Sequence, residues 1–109
     1  MKLKLTNCTI VDALEPHPRP GVVVHIVDDR IAWVGPVSKA PEFPATRVVD
    51  LEGGYLLPGL VEAHTHLFFL DPKFPRPQNI AAHMMYCARQ AVEALKGGFT
   101  GLRNLADGF

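Results

Sequence analysis

The sequence predicts an α/β fold in two parts, an all-β N-terminal segment followed by a strand–helix–strand unit. Short runs rich in valine, isoleucine and leucine, separated by proline, glycine or aspartate, fill the first part. After Pro77 the spacing of apolar residues becomes helical, and another β-rich run follows the Gly97-Gly98 pair. We therefore expect two domains, residues 1–57 and residues 58–109.

Composition and charge argue against several classes of function. The formal net charge of the 109 residues is zero and the basic residues are scattered, so we expect no nucleic-acid partner. Apolar runs stay well short of the ~18 residues of a membrane span, and the N-terminus alternates lysine with leucine, unlike a signal peptide. Cys8 and Cys87 lack a motif spacing. These features predict a cytoplasmic protein with free thiols and no membrane partner.

Four β segments are predicted in the first domain, enough for a small sheet or part of a β-sandwich. They lie at residues 3–11, 22–27, 31–34 and 48–51. The first alternates as a strand, with Leu5 on one face and Cys8 on the other. The second and third are separated by Asp28-Asp29-Arg30, which predicts a hairpin with a short turn.

A histidine pair lies in residues 57–67, which read Leu-Pro-Gly-Leu-Val-Glu-Ala-His-Thr-His-Leu. The apolar run between a Pro-Gly turn and a proline-rich loop predicts a buried strand. Side chains alternate along a strand, so His64 and His66 share a face, with Cα atoms ~6.5 Å apart. Both imidazoles could then reach one metal ion. The alternative is a pair of polar neighbours that bind no metal.

The last predicted elements are a helix and a strand. Seven apolar residues at helical spacing predict an amphipathic helix over residues 78–96, packed on the strand that carries the histidine pair, the motif strand. We expect five of them to make that contact: Ile80, Met84, Cys87, Ala91 and Leu95. Gly97-Gly98 ends the helix, and residues 99–105 return as a strand. Strand, helix and strand in this order predict two parallel strands.

Several stretches together resemble the amidohydrolase superfamily. Residues 21–36 resemble its N-terminal hairpin, and residues 49–59 resemble the lead-in to its first barrel strand, which carries His-x-His. Residues 97–105 are similar to the Gly-Phe-Thr-Thr-Val-Arg-Asp-Leu strand of the imidazolonepropionase-like branch, which includes Xaa-Pro dipeptidases. In that strand Gly101 stands for Thr and Asn104 for Asp.

The resemblance implies a fold and a metal site. The fold is an N-terminal β-sandwich segment followed by the first β-α-β unit of a metal-dependent hydrolase (β/α)8 barrel. A complete barrel needs ~250 residues, so the chain resembles the N-terminal quarter of such an enzyme. His64 and His66 would bind a divalent ion, usually zinc. A lysine, two further histidines and an aspartate on later strands would complete the site.

The activity implied is hydrolysis of a C–N bond in a small-molecule amide or dipeptide-like substrate. A bound zinc-type ion lowers the pKa of water towards ~7 and polarises the scissile carbonyl. Two alternatives stay open, a deaminase of the same superfamily and a non-catalytic truncated fragment. Because two histidines are fewer ligands than catalytic zinc requires, we expect the chain alone to be inactive. Its unpaired strand edge favours a homo-oligomer.

Two acids near the histidine pair are candidates for further site residues. Glu62 shares the parity of the histidines, so it either supports an imidazole N–H or is a polar residue satisfied within the barrel floor, which we favour. Asp71 follows the motif in the next loop and is interpreted as a solvated acid. The predicted metal ligands are therefore His64 and His66 alone.

Overall fold

The computed structural model describes residues 1–68 and 79–105 of the chain. The chain divides into two compact units, Met1–Pro58 and Gly59–Phe109. The division falls at the Pro-Gly turn that precedes the histidine pair.

The first unit is a five-stranded sheet built around its first strand. β1 pairs antiparallel with β2, which pairs antiparallel with β3, and the other edge of β1 pairs in parallel with β4 and then β5. A single 3-10 turn, Val37–Lys39, follows β3. The strands are β1 (Lys2–Ile10), β2 (Arg19–Val27), β3 (Arg30–Pro36), β4 (Arg47–Asp50) and β5 (Tyr55–Leu56).

A β-bulge in β1 changes which residues reach the core. Asn7 takes a φ of 53°, and the pairing with β2 shifts between Leu5 and Cys8. The extra residue reverses the alternation, because a bulge places two residues opposite one. The expectation that Leu5 and Cys8 lie on opposite faces is therefore wrong: Leu5 packs against the buried cluster that contains Cys8 and Ile10.

The predicted hairpin is confirmed. Val27 pairs with Arg30, so only Asp28 and Asp29 form the turn. Asp28 adopts a φ of 54°, a left-handed conformation that aspartate tolerates better than most residues.

His25 is the largest fully buried side chain of the first unit. It is 1% exposed, its ring stacks on Phe43 at 4.2 Å between centroids, and Trp33 lies 5.2 Å away. Within the described residues its Nε2 has no hydrogen-bond partner. Burial, with a smaller contribution from the charge of Lys4 on the neighbouring strand, lowers the pKa of His25.

The buried imidazole predicts acid sensitivity of the first unit. Because its pKa is lowered in the folded state, an unfolded chain binds the proton more readily below the ordinary value of about 6.5. The free energy of unfolding should be highest above this pH and fall as the pH decreases, by up to about 1.4 kcal/mol per pH unit from this group. Denaturant titrations followed by Trp33 fluorescence measure it. His25→Leu should flatten the slope and His17→Leu, in an exposed position, should not; equal slopes in both variants would contradict the prediction.

The second unit is a strand–helix–strand arrangement, as predicted. β6 (Leu60–Thr65) and β7 (Phe99–Asn104) pair in parallel, and α1 (Ile80–Lys96) connects them. The side chain of Asn79 accepts a hydrogen bond from the Ala82 amide and caps the helix, which explains why it begins later than the apolar pattern indicates. Gly98, with a φ of 91°, reverses the chain after the helix. In the described part of the chain, no helix is long and apolar enough to span a membrane.

The helix buries less of its apolar face than the periodicity predicts. Cys87 is 3% exposed, but Met84 is 46% and Ile80 is 70% exposed, and Leu95 is also exposed. Val61 in the motif strand, predicted to be buried, is 68% exposed. Two strands spaced ~5 Å apart are narrower than a helix with its side chains, so they cover only the residues along the line of contact.

This difference in burial predicts different costs for the same substitution. Cys87→Asp should cost about 3 kcal/mol or more because it buries an unpaired carboxylate. Met84→Asp should cost less than about 1 kcal/mol, since the new carboxylate keeps its water. Unfolding followed by circular dichroism at the helix wavelength compares the two variants. Equal costs would show that Met84 lies in the core.

Candidate metal centre

The sequence places two imidazoles at the carboxyl end of β6. His64 is the penultimate residue of the strand, and His66 follows its last residue, Thr65. Thr65 pairs with Asn104 at the end of β7, so both histidines lie at the edge where the two parallel strands finish. This is the edge at which parallel α/β sheets bind ligands.

The two rings converge, which confirms the prediction from strand alternation. Their Nε2 atoms are 3.3 Å apart, their centroids are 5.3 Å apart, and the ring planes meet at 63°. Both side chains are exposed in this structure. At this distance two neutral imidazoles can share a hydrogen bond if one Nε2 carries the proton and the other accepts it.

The same separation suits a shared metal ion. Two nitrogens bound to zinc at 2.0–2.1 Å with a tetrahedral angle lie about 3.3–3.4 Å apart. The measured Nε2–Nε2 distance of 3.3 Å falls in this range without any movement of the strand. The residues therefore fit a zinc-type ion as two adjacent ligands. A cluster of three or more metal-binding side chains does not occur among residues 1–68 and 79–105, so these two histidines alone form the candidate centre.

The hydrogen bond of Glu62 within the described residues is to a backbone amide. Its Oε1 accepts a hydrogen bond from the backbone amide of His64 at 3.0 Å. The favoured interpretation, a polar residue satisfied within the barrel floor, stays a prediction as to the barrel, and the hydrogen bond shows only that the carboxylate has a local partner. Asp71 lies outside the described residues.

Two residues that the sequence did not single out as site residues contact the segment around His66. Asn104 Oδ1 accepts from the Leu67 amide at 2.7 Å, and His83 Nε2 donates to the Phe68 carbonyl at 2.9 Å. These contacts cross 37 and 15 residues of sequence, so spacing within a motif gives no indication of them. The sequence indicates a place near the site for Asn104 only through its position near the end of the strand predicted over residues 99–105.

Curated relatives share substantial identity with the chain. An imidazolonepropionase from Myxococcus xanthus is 51% identical over 61 residues, which are 53% of this chain and 14% of that protein. An imidazolonepropionase from Methylobacterium nodulans is 39% identical over 96 residues, 84% of this chain and 23% of that protein. The chain thus spans about one seventh to one quarter of the length of these relatives. No protein-family model matches it.

Solved structures share the fold over nearly the whole chain. A Xaa-Pro dipeptidase crystallised with methionine in its active site superposes with a TM-score of 0.82 over 98% of this chain and 27% of that one, at 18% identity. Molinate hydrolase superposes with a TM-score of 0.74 over 93% of this chain and 23% of that one, at 27% identity. The likeness to the dipeptidase concerns the fold alone.

Proposed function

We propose that this chain supplies the first two metal ligands of a C–N bond hydrolase. The chain belongs to the amidohydrolase superfamily and matches the N-terminal portion of its members. His64 and His66 are those ligands, and the ion is zinc or another divalent metal. The substrate is a small amide, peptide-like or cyclic. The observation that carries the proposal is the 3.3 Å separation of the two Nε2 atoms at the carboxyl end of a parallel strand pair.

The proposal extends to the architecture. Residues 1–57 form an N-terminal β segment that a second sheet completes as a sandwich, and residues 58–109 begin a (β/α)8 barrel. The uncovered apolar residues of α1 and β6 support this, because adjacent strand–helix units of a barrel would cover them. The same uncovered surface supports association of the isolated chain into a homo-oligomer. The free thiols of Cys8 and Cys87 support a cytoplasmic location.

The role of this chain's residues in hydrolysis follows from their chemistry. A divalent ion supplies Lewis acidity and a bound water of lowered pKa. His64 and His66 would hold such an ion at the strand end through the Nε2 lone pairs of their neutral imidazoles. The hydrogen bond from the His64 amide to Glu62 fixes the backbone between them. The base that takes the proton of water is not supplied by these two residues.

A chimera tests the proposal. The N-terminal portion of the Myxococcus xanthus imidazolonepropionase is replaced by this chain, and hydrolysis of that enzyme's substrate is measured before and after metal removal. We expect metal-dependent turnover that is lost with His64→Ala and kept with His17→Ala. The chain alone should turn over no substrate.

Circular dichroism shows whether the chimera is folded, and its metal content shows whether the ion is bound. A folded chimera that holds its metal but hydrolyses no substrate would contradict the proposed function. Turnover that survives His64→Ala would contradict the assignment of the ligand.

A further inference from the structure

His66 lies just beyond the regular pairing of the two strands. The ladder between β6 and β7 ends at Thr65 and Asn104, and the Leu105 amide donates the last backbone hydrogen bond to the Thr65 carbonyl at 2.9 Å. The orientation of an imidazole beyond a strand end depends on what holds the following backbone. His64 lies one residue before this point, where the pairing of β6 with β7 is irregular between Glu62 and Thr65, and its amide donates to the Glu62 side chain.

The side chain of Asn104 extends the ladder by one bond. Its Oδ1 accepts from the Leu67 amide at 2.7 Å, a short and favourable distance for an N–H···O bond. The side-chain oxygen thus replaces a backbone carbonyl at the point where β7 ends. The backbone on both sides of His66 is tied to the end of β7, through Thr65 before it and Leu67 after it.

A second contact comes from the helix. His83 on α1 is half-buried, and its Nε2 donates to the Phe68 carbonyl at 2.9 Å. The three residues from His66 to Phe68 are therefore anchored by β7 and by α1. Asn104 provides the contact nearer to His66, since Leu67 is its direct neighbour.

We propose that Asn104 is a positioning residue that holds the His66 imidazole in convergence with His64. The importance of Asn104 for catalysis rests on the proposed function, because only a shared ion needs the two Nε2 atoms 3.3 Å apart. The convergence itself does not depend on a metal. Loss of the Asn104 acceptor should release Leu67 and allow the His66 ring to leave the 3.3 Å contact. Hydrogen bonds made directly to a metal ligand typically change metal affinity by about 10–100-fold, and this contact, one residue removed from His66, should change it by no more than that.

Three variants of the chain separate positioning from stability. Asn104→Leu keeps the size of the side chain and removes the acceptor, whereas Asn104→Asp keeps an oxygen at the same place. Asn79→Leu is the matched control, because it also removes one hydrogen bond from an asparagine oxygen to a backbone amide, at the start of α1. The readouts are the nuclear Overhauser effect between the two imidazole rings, amide exchange at Leu67, zinc affinity and melting temperature.

We expect the nuclear Overhauser effect between the two rings to disappear and amide exchange at Leu67 to accelerate in Asn104→Leu, with zinc affinity lowered by at most about 10–100-fold. Asn104→Asp should restore all three, and Asn79→Leu should lower only the melting temperature. An unchanged nuclear Overhauser effect between the two rings in Asn104→Leu would overturn the positioning role. If Asn104→Leu fails to fold, Asn104→Ser, whose hydroxyl is too short to reach Leu67, decides by the same readouts. A folded chimera with the Myxococcus xanthus enzyme that holds its metal but hydrolyses no substrate would contradict the proposed function, while the nuclear Overhauser effect between the two rings would still decide the role of Asn104.

Discussion

Replacing His64 and His66 together by alanine is expected to abolish specific zinc binding by the chain. Each single substitution removes one of two ligands, so each should lower the affinity at least as much as loss of an outer hydrogen bond, which costs about 10–100-fold. The double variant should show only the background binding of the other side chains. Competition with a chromophoric chelator measures these affinities.

The control for this prediction is His17→Ala, which removes an exposed imidazole from the first unit. It should leave zinc affinity unchanged. A double variant that binds zinc as tightly as the wild type would show that the converging rings are only hydrogen-bonded neighbours.

The second large effect is expected at Gly59, immediately before β6. A Cβ added there would lie 2.7 Å from the Thr100 Cβ and would also overlap both atoms at the end of that side chain. Thr100 is β-branched and stiff, so it cannot turn away easily. Gly59→Ala should therefore separate the start of β6 from β7 and cost about 1–3 kcal/mol.

Gly101→Ala is the matched control on the neighbouring strand, where the added Cβ would lie 3.3 Å from Val61 Cγ2. We expect it to cost less than about 1 kcal/mol. The double variant Gly59→Ala/Thr100→Gly removes the overlapping side chain and should recover part of the loss. Denaturant unfolding followed at the helix wavelength compares the three. Equal costs for the two alanine variants would contradict the close approach at Gly59.

The order of the elements could be predicted because it depends on local features. The hairpin followed from a short polar turn between two β-rich runs, and Asp28 tolerates the positive φ that the turn requires. The parallel pairing of β6 with β7 followed from the helix between them. The helix ended at the predicted Lys96, and its start moved to the residue after the Asn79 cap.

The core could be predicted only in part. Apolar spacing identifies which side chains of a helix share a face, but it does not tell how much neighbouring structure covers that face. Cys87 is buried, whereas Met84 and Ile80 are exposed, and the helix packs on β7 rather than on the predicted β6. In β1 the alternation failed at Asn7, because nothing in the sequence marks a bulge at a residue other than glycine.

The candidate site, like the core, could be predicted only in part. Strand alternation alone predicted the convergence of His64 and His66, since both residues belong to one local pattern. The contact of Asn104 with Leu67 depends on strand pairing across 37 residues, and that of His83 on the helix returning to the strand end. Glu62 shares the parity of the histidines, but its oxygen pairs with a backbone amide, which parity does not predict.

The most direct test of the central claim is X-ray absorption at the zinc edge of the zinc-loaded chain. We expect about two imidazole nitrogens at 2.0–2.1 Å from the ion, with water completing the shell. One imidazole contribution should be lost in either His64→Ala or His66→Ala. A wild-type spectrum without imidazole scattering would show that the two histidines do not hold the metal. Spectra of the two variants that are identical to the wild-type spectrum would show the same.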